Sequence, residues 1–276
     1  MTARTVDGAP RAVPGEAGRT LARLGDRVVL CDVYGEFGAP VYDDLCRHDT
    51  FEVRELVTLV RRTRGPVLEL AAGSGRLTMP LLAAGREVTA LELSAPMLEL
   101  LAARLAEAPA RLRERCTPVR ADMSDFCLGR TFGSVVLGTT SVSLLDEDGR
   151  AGLYRSVRAH LAPGGTFLLS TVDMASGADT PTETRIDGVG AGGRAYHLHE
   201  FWDPAAGTRT VTILPADPGG PDEGPVYAAV STVAVLPARR LTDELSEAGF
   251  RVRDRHVLPT TGGRHEDVLL EAEVAR

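Results

Sequence analysis

Val67-Leu68-Glu69-Leu70-Ala71-Ala72-Gly73-Ser74-Gly75 carries the clearest signal of the fold in this chain. It continues a short apolar run that starts at Pro66, and such a run bounded by turn residues is typical of a buried strand. Gly73 and Gly75 allow the backbone to turn tightly and to approach a ligand closely, because they carry no Cβ. Helical spacing of apolar residues follows from Thr78 to Ala84. The stretch therefore predicts a strand, a glycine-rich turn and a helix.

The rest of the first 172 residues repeats this alternation. Strands are predicted at 66–70, 87–91, 118–121, 132–137 and 166–172, and helices at 43–62, 78–84, 94–108 and 147–161. Ser94 can cap one of these helices, and Pro96 stands in its first turn, where a proline costs nothing. Strands that alternate with helices predict a parallel sheet covered by helices on both faces, which is an α/β, Rossmann-like fold.

The pattern changes after Asp173. Three stretches of alternating apolar and polar residues predict antiparallel strands added to one end of the sheet, at 194–202, 208–214 and 227–236. A helix at 240–248 and two strands then close the chain. The predicted organisation is a mobile tail at 1–20, a cap helix and ligand-binding core at 21–172, an antiparallel insertion at 173–239, and closing elements at 240–276.

The composition narrows the range of functions. A net charge of −7 and a pI near 5.5 disfavour a nucleic-acid partner, because phosphate binding needs clustered positive charge. All 31 basic residues are arginine, so the chain lacks the lysine of phosphate-binding loops and of Schiff-base enzymes. Cys31, Cys46, Cys116 and Cys127 form no CxxC pair, which favours reduced thiols in a cytoplasmic protein over a disulfide framework or a metal site. No segment is long enough to span a bilayer, so we expect no membrane partner.

Two carboxylates stand at the ends of later predicted strands. Glu92 follows the second strand and Asp122 follows the third, and ligands of open parallel sheets bind at the carboxyl ends of the strands. A carboxylate at Glu92 can accept both hydroxyl protons of a ribose, and one at Asp122 can receive the exocyclic amine of adenine. Either acid alone would more often be a solvated side chain or a helix cap. Together with the glycine-rich turn, they predict a ligand that contains a nucleoside.

The residues around the turn discriminate between two such ligands. The dinucleotide fingerprint, GxGxxG, has a third glycine for close packing of the helix on the strand, and Thr78 stands there instead. The turn also opens with Glu69, whose carboxylate would repel a pyrophosphate and attract the α-ammonium group of a methionine moiety. The charge therefore favours S-adenosylmethionine (SAM), with S-adenosylhomocysteine (SAH) as product. An NAD-linked oxidoreductase remains the alternative.

Over roughly residues 40–172, these motifs resemble those of class I SAM-dependent methyltransferases. Val67–Gly75 resembles the first motif, Leu91–Ser94 with Met97-Leu98 the second, Ala121–Met123 the adenine motif, and Leu161–Gly165 the turn before the fifth strand. The resemblance implies a mostly parallel seven-stranded sheet with the antiparallel insertion as a lid. It also implies a set of cofactor contacts, namely Tyr34, Tyr42, Glu69, Ala71, Gly73, Gly75, Glu92, Leu93, Met97, Asp122, Met123 and Gly138. Ala71 stands where the family most often has glycine, and we expect its backbone angles to be open to L-residues.

The insertion resembles the lid of glycine and aminosugar N-methyltransferases, which implies that Tyr42 and Tyr34 close on the methionine end of SAM. An anchoring role for these tyrosines in the core is equally compatible with the sequence. His197 and His199 lie two apart on a predicted strand and so share a face, from which they could bind the substrate or accept its proton. His199 is preferred as the base, and solvated histidines are the alternative. Glu200 and Asp173 are further acids that could hold a cationic amine.

The methyl acceptor is predicted less sharply than the cofactor. The segment after the fourth strand lacks the Asp/Asn-Pro-Pro-aromatic motif of nucleic-acid amino-methylases, which also argues against nucleic acid. Gly138–Asp146 and Arg158–Leu161 are similar to actinobacterial enzymes of modified-peptide pathways, including those that dimethylate the terminal amine of daptide-type ribosomal peptides. An aminosugar, an O-methylated metabolite and a catalytically silent binding subunit remain alternatives. We expect a monomer or a homodimer.

Overall fold

A computed structural model describes residues 4–6, 12–174, 180–220, 224–259 and 265–275 of the chain. Its helices are α1 (Gly15–Leu24), α2 (Gly38–Cys46), α3 (Val53–Val60), α4 (Thr78–Ala83), α5 (Ala95–Glu107), α6 (Ala110–Arg113), α7 (Glu147–His160) and α8 (Ala238–Glu247). Its strands are β1 (Arg4–Thr5), β2 (Val28–Asp32), β3 (Val67–Leu70), β4 (Val88–Glu92), β5 (Cys116–Arg120), β6 (Phe132–Leu137), β7 (Leu161–Met174), β8 (Thr182–Val189), β9 (Ala195–Asp203), β10 (Thr208–Pro215), β11 (Val226–Ala234), β12 (Phe250–Val257) and β13 (His265–Val274). The chain forms two compact units, which we call the lid unit (Met1–Asp49 with Ala178–Val235) and the core unit (Thr50–Gly177 with Leu236–Arg276).

The core unit is built on one sheet. Among the described residues this sheet has seven strands, in the order β12-β13-β7-β6-β3-β4-β5. The five strands from β7 to β5 run parallel, and β13 and β12 are antiparallel additions at one end. Strands β3, β4 and β6 are buried along their whole length. Strands covered by helices on both faces are expected to read as apolar runs, as these do. The predicted α/β class with a mostly parallel sheet is confirmed.

The hydrophobic core of this unit places the loops at the carboxyl ends of the parallel strands. Leu81 of α4 and Leu101 of α5 are buried in one cluster with apolar side chains of β3, β4 and β6. Helix α5 begins as predicted, because the Ser94 hydroxyl accepts a hydrogen bond from the backbone N–H of Met97 at 3.2 Å. The glycine-rich turn, the residues after β4 and those after β6 therefore meet at one edge of the sheet, which we call the carboxyl edge.

The lid unit has its own sheet, which contains six strands among the described residues in the order β1-β2-β11-β10-β9-β8. Strands β8 to β11 form an antiparallel meander, and β2 from the N-terminal part pairs in parallel with β11. One face carries a cluster of Leu21 of α1 with Leu214 and Val230. The other face carries a cluster that includes Tyr42 of α2 and Ile213.

Four expectations from the sequence are corrected here. The antiparallel strands are not added to the parallel sheet but form a second sheet, to which the unpredicted strands β2 and β8 belong. The helix predicted at 43–62 is two helices, α2 and α3, since Glu52 takes a left-handed backbone conformation (φ 57°) that no α-helix can continue. The tail predicted at 1–20 includes the first six residues of α1, whose N-terminus is held by Glu183. The fifth core strand, β7, is longer than predicted at both ends.

Candidate active site

The glycine-rich turn after β3 has two glycines with different tasks. A Cβ added to Gly73 would meet no atom within 4 Å, whereas one added to Gly75 would lie 2.5 Å from Leu101 Cδ1. Gly75 is therefore required for packing against α5, and Gly73 borders open space into which a ligand can approach. Ala71 has φ 51°, in the left-handed region. The expectation that its angles would suit an L-residue is wrong, because this conformation costs a residue with a Cβ about 1–2 kcal/mol.

Glu92 ends β4 and connects two loops of the carboxyl edge. Its Oε2 accepts a hydrogen bond from the backbone N–H of Gly73 at 2.8 Å, and its Oε1 accepts one from Ser94 at 2.7 Å. The two N–H groups fix the carboxylate in position, and each oxygen retains a lone pair for a further donor. A pair of vicinal hydroxyls, as on a ribose, has the donors that this arrangement can receive.

Four further predicted cofactor contacts, Asp122 and Met123 of the adenine motif with Leu93 and Met97, follow β4 and β5. Asp122 is exposed, and its Oδ1 accepts a hydrogen bond from Ser124 N at 2.8 Å. Leu93, which follows Glu92, leaves 58% of its surface exposed and offers an apolar face for a planar base. Met123 and Met97 are 8% and 1% exposed, so they support these loops from the core.

Glu69 is 2% exposed, and its Oε2 accepts a hydrogen bond from the Thr78 hydroxyl at 2.6 Å. Burial raises the pKa of this carboxyl from an ordinary 4.5 to about 8, and the negative charges of Glu92 and Glu52 add to the effect. The Thr78 hydroxyl and the charge of Arg76 oppose the rise. At neutral pH the carboxyl is therefore mostly protonated, which weakens its attraction for an ammonium group.

Glu52, Arg76 and Thr139 form a cluster at the carboxyl edge that was not predicted from the sequence. Glu52 Oε1 accepts hydrogen bonds from Arg76 Nη2 at 2.6 Å and from the backbone N–H of Thr139 at 2.8 Å. Arg76 also donates to the Thr139 hydroxyl at 2.8 Å and to the carbonyl of Phe51 at 2.9 Å. The position of Arg76 directly after Gly75 was the one sequence signal that could have drawn attention to it. Gly138, predicted as a cofactor contact, lies beside the Glu52 carboxylate.

The lid unit places its predicted residues on opposite faces of its sheet. His199 is the cross-strand partner of Thr212, which is the partner of Val230 on the α1 face. Tyr34 and Tyr42, with ring centroids 5.7 Å apart, belong to the cluster on the α2 face. The two histidines and the two tyrosines therefore lie on opposite faces of this sheet.

The two histidines differ in exposure and in partners. His199 has 4% of its side chain exposed, and its Nδ1 lies 3.0 Å from Glu183 Oε1. Glu183 in turn accepts hydrogen bonds from the first backbone N–H groups of α1, so His199 is part of the anchor of that helix. His197 has 24% of its side chain exposed, and its Nδ1 lies 2.7 Å from Asp187 Oδ1. The hydrogen bonds from Arg185 and then from His197 lower the pKa of Asp187 to about 2. The role of either histidine as a base stays a prediction.

The two further acids predicted to hold an amine both have basic partners. Glu200 lies 3.6 Å from Arg209 Nη1. Asp173 accepts a hydrogen bond from the N–H of Ala238 at the start of α8 and pairs with Arg255 at 2.8 Å.

Among the described residues, no group of three or more His, Cys, Asp or Glu side chains is placed to hold a metal ion. Nor does any helix in this part of the chain have the length and apolar character to cross a membrane.

Comparison with known proteins decides the family. A family model described as a methyltransferase domain matches residues 67–165. The glycopeptide N-methyltransferase MtfA, solved with sinefungin, is 39% identical, and the match covers 96% of this chain and all of that chain with a TM-score of 0.68. The chain belongs to the class I SAM-dependent methyltransferases. This assignment replaces the alternative of an NAD-linked oxidoreductase.

Two other methyltransferases are similar in sequence. The cypemycin N-terminal methyltransferase of a Streptomyces species is 31% identical over 110 residues, which are 40% of this chain and 42% of that enzyme. The dTDP-4-amino-2,3,4,6-tetradeoxy-D-glucose N,N-dimethyltransferase of Saccharopolyspora spinosa is 27% identical over 249 residues, 84% of this chain and 92% of that enzyme. The CcbJ methyltransferase of Streptomyces caelestis shares the fold, with a TM-score of 0.73 at 23% identity over 89% of this chain and 99% of that chain.

Proposed function

We propose that this methyltransferase acts on an amine, and that the amine is the terminal amino group of a ribosomally made, post-translationally modified peptide such as a daptide-type peptide. The observation that carries the proposal is the match along the whole chain to an enzyme named for N-methylation of a glycopeptide. The partial match to a cypemycin N-terminal methyltransferase favours a peptide terminus. The reaction takes place in the cytoplasm, where the four cysteines stay reduced.

The cofactor site is the carboxyl edge of the core unit. Glu92 receives the ribose hydroxyls, Asp122 the adenine amine, and the open space beside Gly73 receives the remainder of the cofactor. Leu93 covers one face of the adenine. SAM supplies the methyl group, and the residues of the chain hold it in line with the acceptor nitrogen and keep water away.

The acceptor nitrogen must lose its proton before it attacks, and a base near neutral pKa assists this step. Of the two predicted histidines, His197 has the more exposed imidazole. Asp187 at its Nδ1 can hold the ring in the tautomer that leaves Nε2 free to accept a proton. The contacts therefore favour His197 over His199 for this role.

The test offers the purified enzyme and SAM three acceptors at equal concentration. These are a peptide with a free terminal amine, the same peptide with that amine acetylated, and a nucleotide-linked aminosugar. We expect the mass of one or two methyl groups to be added to the free amine alone, as read by mass spectrometry. Modification of the acetylated peptide would instead assign a side chain as acceptor.

An aminosugar is the second candidate acceptor, and it is favoured by the match over 84% of this chain to the aminosugar N,N-dimethyltransferase. Methylation of the aminosugar with both peptides unmodified would establish it. An O-methylated product is a further outcome of the same assay. Calorimetry completes the test, because the cofactor assignment requires SAH to bind in preference to NADH.

A further inference from the structure

The carboxylate of Glu52 has one oxygen that the protein leaves without a partner. Glu52 is 3% exposed, and its Oε1 takes the hydrogen bonds of Arg76 and Thr139. Its Oε2 is buried and has no hydrogen-bond partner among the residues that the structure describes. Native proteins pair nearly all buried polar atoms, and an exception in a functional region indicates a donor supplied from elsewhere.

The backbone around this carboxylate is strained. Glu52, Thr139 and Thr140 have φ values of 57°, 57° and 54°, in the left-handed region that residues with a Cβ rarely adopt. Branching at Cβ makes this conformation still less favourable for the two threonines. Strained residues of this kind concentrate where a ligand is held, because the surrounding structure must enforce their geometry.

The carboxylate lies at the carboxyl edge, beside the end of β6. A Cβ added to Gly138, directly after β6, would lie 3.1 Å from Glu52 Oε1. Arg76, the partner of that oxygen, directly follows the glycine-rich turn of β3, and β3 and β6 are neighbours in the sheet. Glu92 stands on the other side of β3, at the end of β4. The ribose end and the Glu52 end of the site are therefore separated by β3.

We propose that Glu52 Oε2 accepts a hydrogen bond from the α-ammonium group of the methionine moiety of SAM. The inference rests on the proposed cofactor site, and it assigns to Glu52 the contact that was predicted for Glu69 from the sequence. A buried carboxylate oxygen requires a donor, and the ammonium is the cationic N–H donor of the methionine moiety. Arg76 balances the carboxylate, and the ammonium supplies the hydrogen bond that the guanidinium does not give to Oε2.

The test compares two ligands by calorimetry: SAH and 5′-methylthioadenosine, which has the nucleoside and sulfur but no amino-acid moiety. In Glu52→Gln the amide oxygen still accepts from Thr139, and the charge is lost. We expect SAH to bind about 10- to 100-fold more weakly to this variant, as for a lost hydrogen bond to a charged group. Binding of 5′-methylthioadenosine should stay within about twofold, because that ligand has no ammonium group.

Glu55→Gln removes a carboxylate three residues further along the chain, in α3, and serves as the matched control, with both affinities expected to be unchanged. An equal loss of both ligands in Glu52→Gln would show that Glu52 acts on the fold alone and would overturn the assignment. Unchanged SAH binding would overturn it too, and would leave the acceptor amine as the donor. If Glu52→Gln does not fold, Glu52→Asp takes its place, because it withdraws the carboxylate by one methylene. We expect the same result for this variant, namely weaker binding of SAH and nearly unchanged binding of 5′-methylthioadenosine. Failure of the wild-type enzyme to bind SAH would instead refute the proposed cofactor site.

Discussion

Glu69 offers a test of the electrostatics of the carboxyl edge through the substitution Glu69→Gln. Burial, with smaller contributions from Glu92 and Glu52, raises the pKa of Glu69 from 4.5 to about 8 in the folded chain. Between these two values the folded chain keeps the proton that the unfolded chain has lost. The folded state then binds more protons, so its stability is fully present below about pH 4.5 and declines as the pH rises towards 8.

The size of the effect follows from the shift in pKa. A change from 4.5 to about 8 corresponds to about 5 kcal/mol at about 1.4 kcal/mol per unit. Most of this loss, about 4 kcal/mol, falls between about pH 5 and about pH 9, because the unfolded chain has already lost part of its protons at about pH 5. The glutamine side chain has nearly the same volume and stays neutral. Its amide oxygen can still accept the hydrogen bond from the Thr78 hydroxyl.

The assay is urea unfolding of both proteins between about pH 5 and about pH 9, read as the difference in their free energies of unfolding. The titration of other groups affects both proteins alike, so it cancels in the difference between their free energies of unfolding. We expect the variant to gain about 4 kcal/mol on the wild type as the pH rises to about 9, relative to their difference at about pH 5. Glu99→Gln changes an exposed carboxylate on α5 and should show no such trend. A difference between the wild type and Glu69→Gln that is flat with pH would refute the reasoning, because Glu69 would then ionise in the folded chain as easily as in the unfolded one.

Three further outcomes are expected. Glu92→Gln should weaken SAH binding about tenfold in calorimetry, since an amide can accept at only one of its two ends; unchanged affinity would remove the ribose contact. Gly75→Ala should lower the free energy of unfolding by about 2 to 3 kcal/mol, because the added methyl group would collide with Leu101 and the backbone has a positive φ. Urea unfolding measures this change. An unchanged free energy of unfolding would mean that α5 shifts to make room for the methyl group. His199→Gln should lower the melting temperature with kcat within about threefold, and His197→Gln should lower kcat by about 100-fold or more with little change in melting temperature. The reverse pattern would restore His199 as the base.

Much of the core unit could be predicted from the sequence because its signals are local. An apolar run and a glycine-rich turn define β3 and the loop after it, and the carboxylate of Glu92 stands directly at the end of β4. The strand β2 could not be placed in the same way, because its partner β11 lies about two hundred residues further along the chain. The face on which His197 and His199 lie depends on the register of three strands, which the alternation within one strand does not determine.

Glu52 shows why the candidate site was only partly foreseen. In the sequence it is one acid among the 38 of the chain, and it stands inside a stretch whose spacing predicted a continuous helix. Its importance comes from a left-handed backbone conformation and from partners twenty-four and eighty-seven residues away, Arg76 and Thr139. Neither property has a local signal, because both arise from the tertiary packing of the carboxyl edge.

The three glutamates of this edge differ in a way that suits the proposed ligand. Glu92 ends β4 with both oxygens held by N–H groups, and Glu52 lies beside the end of β6, paired with Arg76. Glu69 belongs to β3, between them, and burial keeps its carboxyl mostly protonated at neutral pH. Of these three, Glu52 and Glu92 therefore stand on either side of β3, with the neutral carboxyl of Glu69 between them. SAM has hydroxyl donors at its ribose, an ammonium at its other end, and a sulfonium between. A carboxylate fixed beside the sulfonium would stabilise its charge in the ground state and lose that stabilisation as the charge moves to the amine, so a neutral Glu69 avoids a cost in the methyl-transfer barrier.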